Sequence, residues 1–374
     1  MKAKQIAVTS VFLGLLLIIA ATFFLLPDTD ISVSERRHLT QFETYAAQKS
    51  ENGDDYGIAD YFAYLERYML DQFPARDTFR SLKAVFKRDI LRQMDTNGYY
   101  EVDGSLSRVD AELSDKAVAD AVSRLNDVYT RYFKTLGANA YYALIPDKNY
   151  FLAEPSGHLC YDYEALYTSV REMLNADIAE IDLLGTLEIG DYYRTDPHWD
   201  QSQILPAADA LLAAMGAEGS ASEHDWTPHT LAPFYGTYYG QSALPVAPDT
   251  LTYLTGDAID GITVLNHASN ETTVVYDEAD FYNVDPYDIF LGGAVPLLTL
   301  RNPNQDNGRQ LVVFRDSFGG SMVPLLAGEY SEIIVVDIRY ISPRQLTMLR
   351  FRRGCDVLFL YSTSVLNSPG IFAN

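Results

Sequence analysis

Two polar segments of the sequence bring together residue types that can carry out nucleophilic catalysis. The first spans residues 315–320 (RDSFGG) and directly follows the apolar run at 310–314, so Ser317 is predicted on a turn between a strand and a helix. Glycines allow a tight turn, and the N-terminus of a helix directs N–H groups and positive dipole charge toward a developing oxyanion. We therefore expect Ser317 to be a nucleophile, with Phe318 and Gly319 as candidate oxyanion donors. The alternative is that Ser317 merely caps the helix, as serine often does.

The second segment spans residues 192–200 (YYRTDPHWD) and contains a histidine and an aspartate two positions apart. Serine becomes a good nucleophile when a base takes its proton, and imidazole is the usual base near neutral pH. The imidazole of His198 would in turn need a carboxylate to fix its tautomer, and Asp196 can supply one from an extended segment. The alternative is a histidine and an aspartate packed beside Trp199 at a helix start. The presence of both segments favours a triad of Ser317, His198 and Asp196.

Polar residues that follow other predicted strands are weaker candidates for the same site. Arg339 and Tyr340 could bind substrate oxygens, although pairing of Arg339 with Asp337 or another acid is an equal alternative. Asn367 is a candidate oxyanion donor by position alone. Lys148 is expected at the rim of the site or in solvent.

The elements around these segments alternate between apolar strands and helices. Strands are predicted at 140–145, 181–184, 310–314, 332–336 and 356–360, and helices at 58–71, 77–94, 114–136, 163–174 and 201–215. Apolar strands separated by helices indicate an α/β fold with a mainly parallel sheet covered on both faces, and ligands of such sheets bind beyond the carboxyl ends of the strands. Residues 217–300 break the alternation with short strands, such as 236–239 and 262–265, and are predicted to form a β-rich insertion.

An uncharged run at residues 6–26 is long enough to cross the hydrocarbon core of a membrane as one helix. Lys2 and Lys4 before it, with Asp28 and Asp30 after it, place the amino terminus in the cytoplasm. An uncleaved anchor is favoured over a cleaved signal peptide, because the apolar run continues past the small residues that a peptidase would recognise. The sequence therefore predicts a single-pass membrane protein with its ectodomain on the extracytoplasmic side.

This organisation divides the chain into three parts. We expect a membrane anchor with a short cytoplasmic tail, a helical lead-in, and an α/β domain that carries the β-rich insertion, at residues 1–27, 28–110 and 111–374.

Composition excludes several classes of function. A net charge of −23 argues against nucleic acid as a partner, since such affinity comes from Lys and Arg. Two cysteines, Cys160 and Cys355, are too few for a disulfide scaffold, and their pairing is not required. A zinc site at His224, Asp225 and His229 is improbable, so no metal is predicted. No nucleotide or other cofactor is expected, because the sequence contains no Walker loop and no GxGxxG at a strand end.

Taken together, these segments resemble the DHHW family, which is related to the SGNH-hydrolase-like proteins of alginate O-acetylation. The resemblance rests on residues 71–76 (DQFPAR), 195–199 (TDPHW), 291–293 (LGG), 315–318 (RDSF) and 338–340 (IRY). It implies an SGNH-hydrolase-like fold with Ser317 as nucleophile, His198 as general base and Asp196 as its orienting partner. The sequence departs from the family pattern at Pro197, where the family has its first histidine, and at Arg315, where a glycine is usual.

The preferred interpretation is serine-dependent acyl-ester chemistry on an extracytoplasmic polysaccharide, as an O-acetyltransferase or an acetylesterase. By the same resemblance, a multi-pass membrane acyltransferase is the expected acetyl donor. The alternative is a non-catalytic glycan-binding or envelope scaffold protein on the same fold, which the Tyr-rich segment at 217–300 and the departure at Arg315 would favour.

Overall fold

The computed structural model describes residues 2–341 and 343–372. Its helices, in chain order, are α1 (Lys2–Leu25), α2 (Tyr45–Asn52), α3 (Ile58–Asp71), α4 (Arg76–Val85), α5 (Asp115–Val128), α6 (Lys148–Ser156), α7 (Tyr163–Met173), α8 (Leu205–Ala214), α9 (Thr237–Ser242), α10 (Phe318–Leu326) and α11 (Thr363–Leu366). Its strands are β1 (Ile31–Ser32), β2 (Arg37–His38), β3 (Tyr99–Val102), β4 (Ser105–Arg108), β5 (Asn139–Ile145), β6 (Ile178–Glu180), β7 (Trp226–Phe234), β8 (Asp249–Gly256), β9 (Thr263–Asn266), β10 (Glu271–Thr273), β11 (Leu297–Arg301), β12 (Gln310–Arg315), β13 (Glu332–Val336) and β14 (Asp356–Ser362).

An eight-stranded sheet with the order β10-β9-β11-β13-β12-β14-β5-β6 forms the centre of the molecule. The strands from β13 to β6 run parallel, whereas β11, β9 and β10 add an antiparallel edge. Helices cover both faces, so the predicted α/β class with a mainly parallel sheet is confirmed.

Strand β12 is apolar from Leu311 to Phe314 because it is buried on both faces. Leu311 and Val313 point into a core that includes residues of α8 and α10, while Val312 and Phe314 point into a second core that includes residues of α5 and α7. Every residue of β12 is buried. The strand is thus held firmly at the centre of the sheet, and the turn that follows it starts from a rigid base.

The amino-terminal part is helical, and its first helix stands apart from the rest. The span Ala3–Leu25 of α1 is long and apolar enough to cross a membrane, and its most apolar stretch is not buried against the rest of the protein. After α1, a short β1–β2 hairpin leads into α2, α3 and α4, and α4 continues as a π-helix over Phe86–Ile90. The predicted helix at 77–94 is therefore confirmed up to Ile90.

The long helix predicted at 114–136 is also observed. Ser114 caps α5 by accepting a hydrogen bond from the N–H of Ala117, and helical structure continues to Leu136. Gly137 ends it with φ +62°, a left-handed conformation that glycine adopts without strain.

Three predicted elements differ from the structure. The strand expected at 181–184 lies earlier, at Ile178–Glu180, and the helix expected from Gln201 begins at Leu205. Residues 236–239 are not a strand, because their N–H groups turn toward the segment at 195–196 and begin helix α9. Cys160 and Cys355 are both free thiols.

Candidate active site

Ser317 lies just after the carboxyl end of β12 and directly before the first residue of α10, as the strand-to-helix pattern predicts. Its Oγ is 2.7 Å from Nε2 of His198 and makes no capping hydrogen bond to α10. The structure thus favours a hydroxyl aimed at an imidazole over the alternative of a helix cap.

His198 lies in a closed loop, and not on the extended segment that we expected. Tyr192 and Trp199 pair as an antiparallel bridge, and the N–H of Tyr193 donates to the carbonyl oxygen of His198. Inside this loop Oδ1 of Asp196 accepts from the N–H of His198 at 3.1 Å and lies 2.6 Å from its Nδ1. The structure therefore connects the side chains of Ser317, His198 and Asp196 in one continuous series.

The second oxygen of Asp196 is bound by residues that the sequence did not single out. Its Oδ2 accepts from the N–H of Thr237 at 2.9 Å and lies 3.0 Å from Nη1 of Arg36. Arg36 forms the turn of the β1–β2 hairpin with φ +52°, and its guanidinium is almost fully buried. Burial raises the pKa of the Asp196 carboxyl, but Arg36 and then His198 outweigh it, so that pKa lies well below its ordinary value.

Arg36 is fixed on several sides. Its Nε donates to the carbonyl oxygen of Tyr235, and Nη1 also lies 3.0 Å from Oδ1 of Asp285. Its guanidinium carbon lies 4.8 Å from the centre of the Phe234 ring. No local motif marks Arg36 as a site residue, because its partners lie about 160 to 250 positions away in the sequence.

The insertion supplies a carboxylate that holds the loop from its other side. Asp249, the first residue of β8, accepts hydrogen bonds from the backbone N–H of Arg194 and from both the N–H and Oγ1 of Thr195. Gly236 approaches Thr195 so closely that a Cβ there would clash with the Thr195 carbonyl. Residues of the insertion therefore position the loop that carries His198.

Lys148 corrects our expectation of a residue at the rim or in solvent. It is buried, and its Nζ donates to the carbonyl oxygens of Tyr193, Arg194 and Asp196, at 2.7, 2.9 and 3.3 Å. Burial lowers the pKa of Lys148 to about 7, against the opposing attraction of Asp249 and Asp196. An ammonium group has three donors, so Lys148 is a positioning residue for the loop.

Aromatic rings enclose the imidazole. The ring of Tyr287 stacks on that of His198 with centroids 3.9 Å apart, and Phe318 approaches at 4.8 Å. The hydroxyl of Tyr287 and Nε1 of Trp199 are each 2.8 Å from Oγ of Ser321. These contacts restrict the imidazole to one orientation, and Tyr287 is a second residue that the sequence did not reveal.

The predicted oxyanion donors are engaged elsewhere. The N–H of Phe318 donates to Oδ1 of Asp316, and the N–H of Gly319 donates to the carbonyl oxygen of Asp316. Oδ2 of Asp316 accepts from the N–H of Ser362, the last residue of β14. Phe318 contributes its ring instead, and a Cβ on Gly319 would lie 2.5 Å from Cβ of Arg315.

Arg315, the departure from the family pattern, turns away from the nucleophile. Its Nη2 donates to the carbonyl oxygen of Gly293 at 2.8 Å, and Nη1 donates to that of Asp316. Burial lowers the pKa of Arg315 from its ordinary value, with Asp337 opposing that effect. Arg315 therefore links the turn at Ser317 to the loop at 291–293, which also resembles the family.

The remaining candidates have other partners. Arg339 forms a two-point ion pair with Asp337, with contacts of 2.8 and 2.6 Å, as in the alternative that we left open. Tyr340 is exposed and lies near the Arg339 guanidinium. Asn367 accepts from the N–H of Ser114 and donates to the carbonyl oxygen of Glu112, so both of its polar groups bind the start of α5 and not an oxyanion.

The charges and contacts of the site fit proton transfer between a hydroxyl and an imidazole. Nε2 of His198 can take the Ser317 proton, while the ionised Asp196 fixes the tautomer and stabilises the imidazolium. Within residues 2–341 and 343–372, no group of three or more His, Cys, Asp or Glu side chains could hold a metal ion.

Comparison with known proteins confirms the predicted resemblance to the DHHW family. The family model described as DHHW protein matches residues 161–336, just under half of the chain, and this range contains both His198 and Ser317. No curated protein matches the sequence.

Solved structures with the same fold include two of similar likeness. A DHHW family protein from Eubacterium siraeum is 22% identical with a TM-score of 0.59, and the match covers 74% of this chain and 94% of that one. Bacillus cereus PatB1 with a sulfonyl adduct is 19% identical with a TM-score of 0.59, and the match covers 73% and 97%. These likenesses confirm the SGNH-hydrolase-like fold. The O-acetyltransferase domain of Pseudomonas putida AlgJ is more distant, at 15% identity and a TM-score of 0.44 over 74% and 97% of the chains.

Proposed function

Because this chain matches the DHHW family model and has an SGNH-like fold, we propose that it performs serine-dependent acyl-ester chemistry on an extracytoplasmic polysaccharide. The observation that carries the proposal is the pair of short contacts, 2.7 Å from Ser317 to His198 and 2.6 Å from His198 to Asp196. These contacts support the roles of Ser317 as nucleophile, His198 as general base and Asp196 as its orienting carboxylate.

The reaction has two steps that use the same imidazole. Oγ of Ser317 attacks the carbonyl carbon of an acyl ester while Nε2 of His198 takes its proton. The ester bond then breaks, and His198 returns the proton to the departing alcohol, which leaves an acyl-serine. A second hydroxyl, from a sugar or from water, loses its proton to His198 and attacks the acyl carbon. The bond between that carbon and Oγ then breaks, and His198 returns the proton to Oγ of Ser317. A sugar acceptor makes the protein an O-acetyltransferase, and water makes it an acetylesterase.

The proposed location follows from α1, which we propose to be a retained single-pass anchor with the α/β domain outside the cytoplasm. An acetyltransferase on that side needs an acetyl donor delivered across the membrane. In line with the family resemblance, we extend the proposal to a multi-pass membrane acyltransferase as that donor.

The burial of tyrosines in the insertion argues against the alternative of a non-catalytic glycan-binding protein. Of the seven tyrosines between residues 217 and 300, Tyr282 alone is exposed. The others are buried or half-buried, and Tyr287 and Tyr253 belong to an aromatic cluster behind the site. This arrangement supports the imidazole and does not present a row of rings to a sugar chain.

The proposal is tested by acetyl release from an activated acetyl ester with the full-length protein in a mild detergent. We expect turnover by the wild type and its loss in Ser317→Ala and His198→Ala. Ser364→Ala is the matched control, because Ser364 follows β14 near the same end of the sheet and contacts Ser362. Equal turnover by the wild type and Ser317→Ala would refute the proposal.

Covalent labelling gives a second test that does not depend on the choice of ester. PatB1 has been solved with a sulfonyl adduct, which supports a sulfonyl fluoride as the probe for this fold. We expect the adduct on Ser317 by peptide mass spectrometry, and none in His198→Ala. Labelling spread over surface serines, without enrichment at Ser317, would contradict an activated nucleophile.

A further inference from the structure

The lead-in helices expose an apolar face that the site does not use. Its members are the large side chains Met69, Leu70, Phe79, Leu82, Phe86 and Ile90, which are between 50% and 66% exposed. We call this set the lead-in face. Because four of its members recur at positions 79, 82, 86 and 90, they form one stripe along α4 and its π-helical extension.

The lead-in face lies at the end of the proposed membrane anchor. Phe23, near the end of α1, packs its ring against Tyr68 of α3 at 5.8 Å, and the Tyr68 hydroxyl donates to Asp28. Successive residues of a helix rise about 1.5 Å, so Tyr68 is level with the last turn of α1. Met69 and Leu70 directly follow Tyr68 and are therefore at the depth where a membrane helix leaves the hydrocarbon.

An aromatic contact at the turn between α3 and α4 leads into the stripe on α4. Phe73, at the turn after α3, packs its ring against Phe79 at 5.7 Å. From Phe79 to Ile90 the stripe extends for about 16 Å along the helix. An apolar surface of this length that begins at a membrane anchor matches an amphipathic helix that lies in the interface.

The charge of the segment matches the same surface. Residues 76–94 contain six Lys and Arg against two Asp, in a chain of net charge −23. Arg76 and Arg80 pair with Glu35, and Arg88 pairs with Glu101, so Lys83, Lys87 and Arg92 carry the charge that a headgroup could meet. Lys83 and Lys87 each follow a member of the stripe, so their ammonium groups leave the helix along its border. Basic residues beside an apolar stripe suit the headgroups of anionic lipids.

From these four observations we propose that the lead-in face lies in the outer interface of the membrane and binds anionic lipid. The inference rests on the proposed retention of α1 and is independent of the chemistry at Ser317. It makes α3 and α4 a second, lateral contact that fixes the height of the α/β domain above the membrane.

Photo-cross-linking with lipids tests the inference on the full-length protein in nanodiscs. The probe is a phospholipid with a diazirine on its acyl chain, in phosphatidylcholine with or without phosphatidylglycerol, and adducts are mapped by peptide mass spectrometry. We expect adducts in α1 and also on Leu82, Phe86 and Ile90. Leu159 is the internal control, because it is 67% exposed on the α/β domain and should carry none.

Two variants separate the apolar and the charged contributions. The double variant Leu82→Ser and Phe86→Ser should lose most α4 adducts but keep those in α1. The double variant Lys83→Glu and Lys87→Glu should lose α4 adducts mainly in the discs that contain phosphatidylglycerol. Esterase turnover is measured in the same discs, so that a loss of activity at Ser317 can be distinguished from a loss of lipid contact at α4.

Several results would overturn the inference. One is α1 carrying lipid adducts while α4 carries none. Another is labelling of Leu159 as frequent as that of Leu82, Phe86 and Ile90, because the probe would then report only the exposure of an apolar side chain. The inference would also be overturned if the expressing cell removes α1 as a signal peptide and the processed protein carries no lipid adduct on α4, because the proposed lipid contact depends on a retained anchor.

Discussion

Replacing Arg36 with methionine is predicted to weaken both the fold and the proposed chemistry. The guanidinium pairs with the buried Asp196 carboxylate, and methionine keeps much of its length without its charge. Removing one partner of a buried ion pair costs about 3–5 kcal/mol, because the other charge stays buried without compensation. Asp196 keeps donors from His198 and Thr237, so we expect a cost near the lower end, about 3 kcal/mol.

That cost should appear as a lower melting temperature. A loss of about 3 kcal/mol corresponds to a decrease of roughly 4 °C for a protein of this size. The rate should fall as well, because a displacement of about 1 Å in a catalytic group costs on the order of a hundredfold. We therefore expect kcat for an activated acetyl ester to fall between about tenfold and a hundredfold.

The pH dependence gives a readout that a purely structural role would not produce. The native pKa of Asp196 is depressed, so its contribution to stability is present above the unfolded pKa, about 3.9, and is lost as pH falls through the native value. Without Arg36 that native pKa rises. The difference in free energy of unfolding between the wild type and Arg36→Met should thus be largest near pH 7 and decrease as the pH is lowered. As the pH is lowered, the variant should also lose activity at a higher pH than the wild type.

Arg37→Met is the matched control, since Arg37 lies next to Arg36 but pairs with Asp71 and Glu35. Arg37→Met should cost stability but leave the rate per folded molecule and the pH profile of that rate unchanged. Arg36→Lys should recover only part of the activity, because a point charge cannot reproduce the several contacts of the guanidinium. An Arg36→Met protein with the wild-type kcat, and with the same loss of activity at low pH as the wild type, would refute the role of Arg36.

Three further predictions concern the neighbours of the imidazole and one distant carboxylate. Asp196→Asn keeps the size of the side chain but removes its charge and can favour the wrong imidazole tautomer, so kcat should fall on the order of a thousandfold or more. Tyr287→Leu should lower kcat roughly tenfold by removing the ring stacked on His198, whereas Tyr287→Phe, which keeps the ring, should lose less. Burial, and then Asp285 and Asp280, raise the pKa of Asp288 to about 7, so the native state retains a proton that the unfolded chain has released. The stability of the native protein should therefore decrease as the pH rises from about 4 to 7. Asp288→Asn removes this effect, so it should raise the melting temperature at pH 8 but not at pH 4.

Each of these predictions has a control within the chain. Asp200→Asn changes a carboxylate of the same loop that bonds to Ser202 and Thr252, and it should cost far less activity than Asp196→Asn. A Tyr287→Leu protein as active as Tyr287→Phe would show that the ring stacked on His198 does not contribute to kcat. Asp306→Asn, an exposed carboxylate, should shift the melting temperature equally at pH 4 and pH 8. A similar pH-independent shift in Asp288→Asn would contradict the assigned proton.

The sequence alone determined the elements that depend on local pattern. Continuous apolar runs predicted β12, β13 and β14, because strands buried on both faces have no polar side. The turn chemistry around Ser317 and the spacing of Asp196 and His198 were visible for the same reason, since each is set within a few residues of chain. The structure then brought the two segments together.

The tertiary structure decided which groups complete the site, because those contacts join residues far apart in sequence. Arg36 reaches Asp196 from the lead-in, and Tyr287 reaches His198 from the insertion, without a local motif in either segment. Residues 236–239 have a strand-like composition but form a helix start, because their N–H groups bind the loop at 195–196. Lys148 is buried for a similar reason: three carbonyl oxygens of that loop converge on its ammonium group. Local pattern thus predicts where a chain bends and buries its side chains, whereas the partner of a buried charge is set by how distant segments pack.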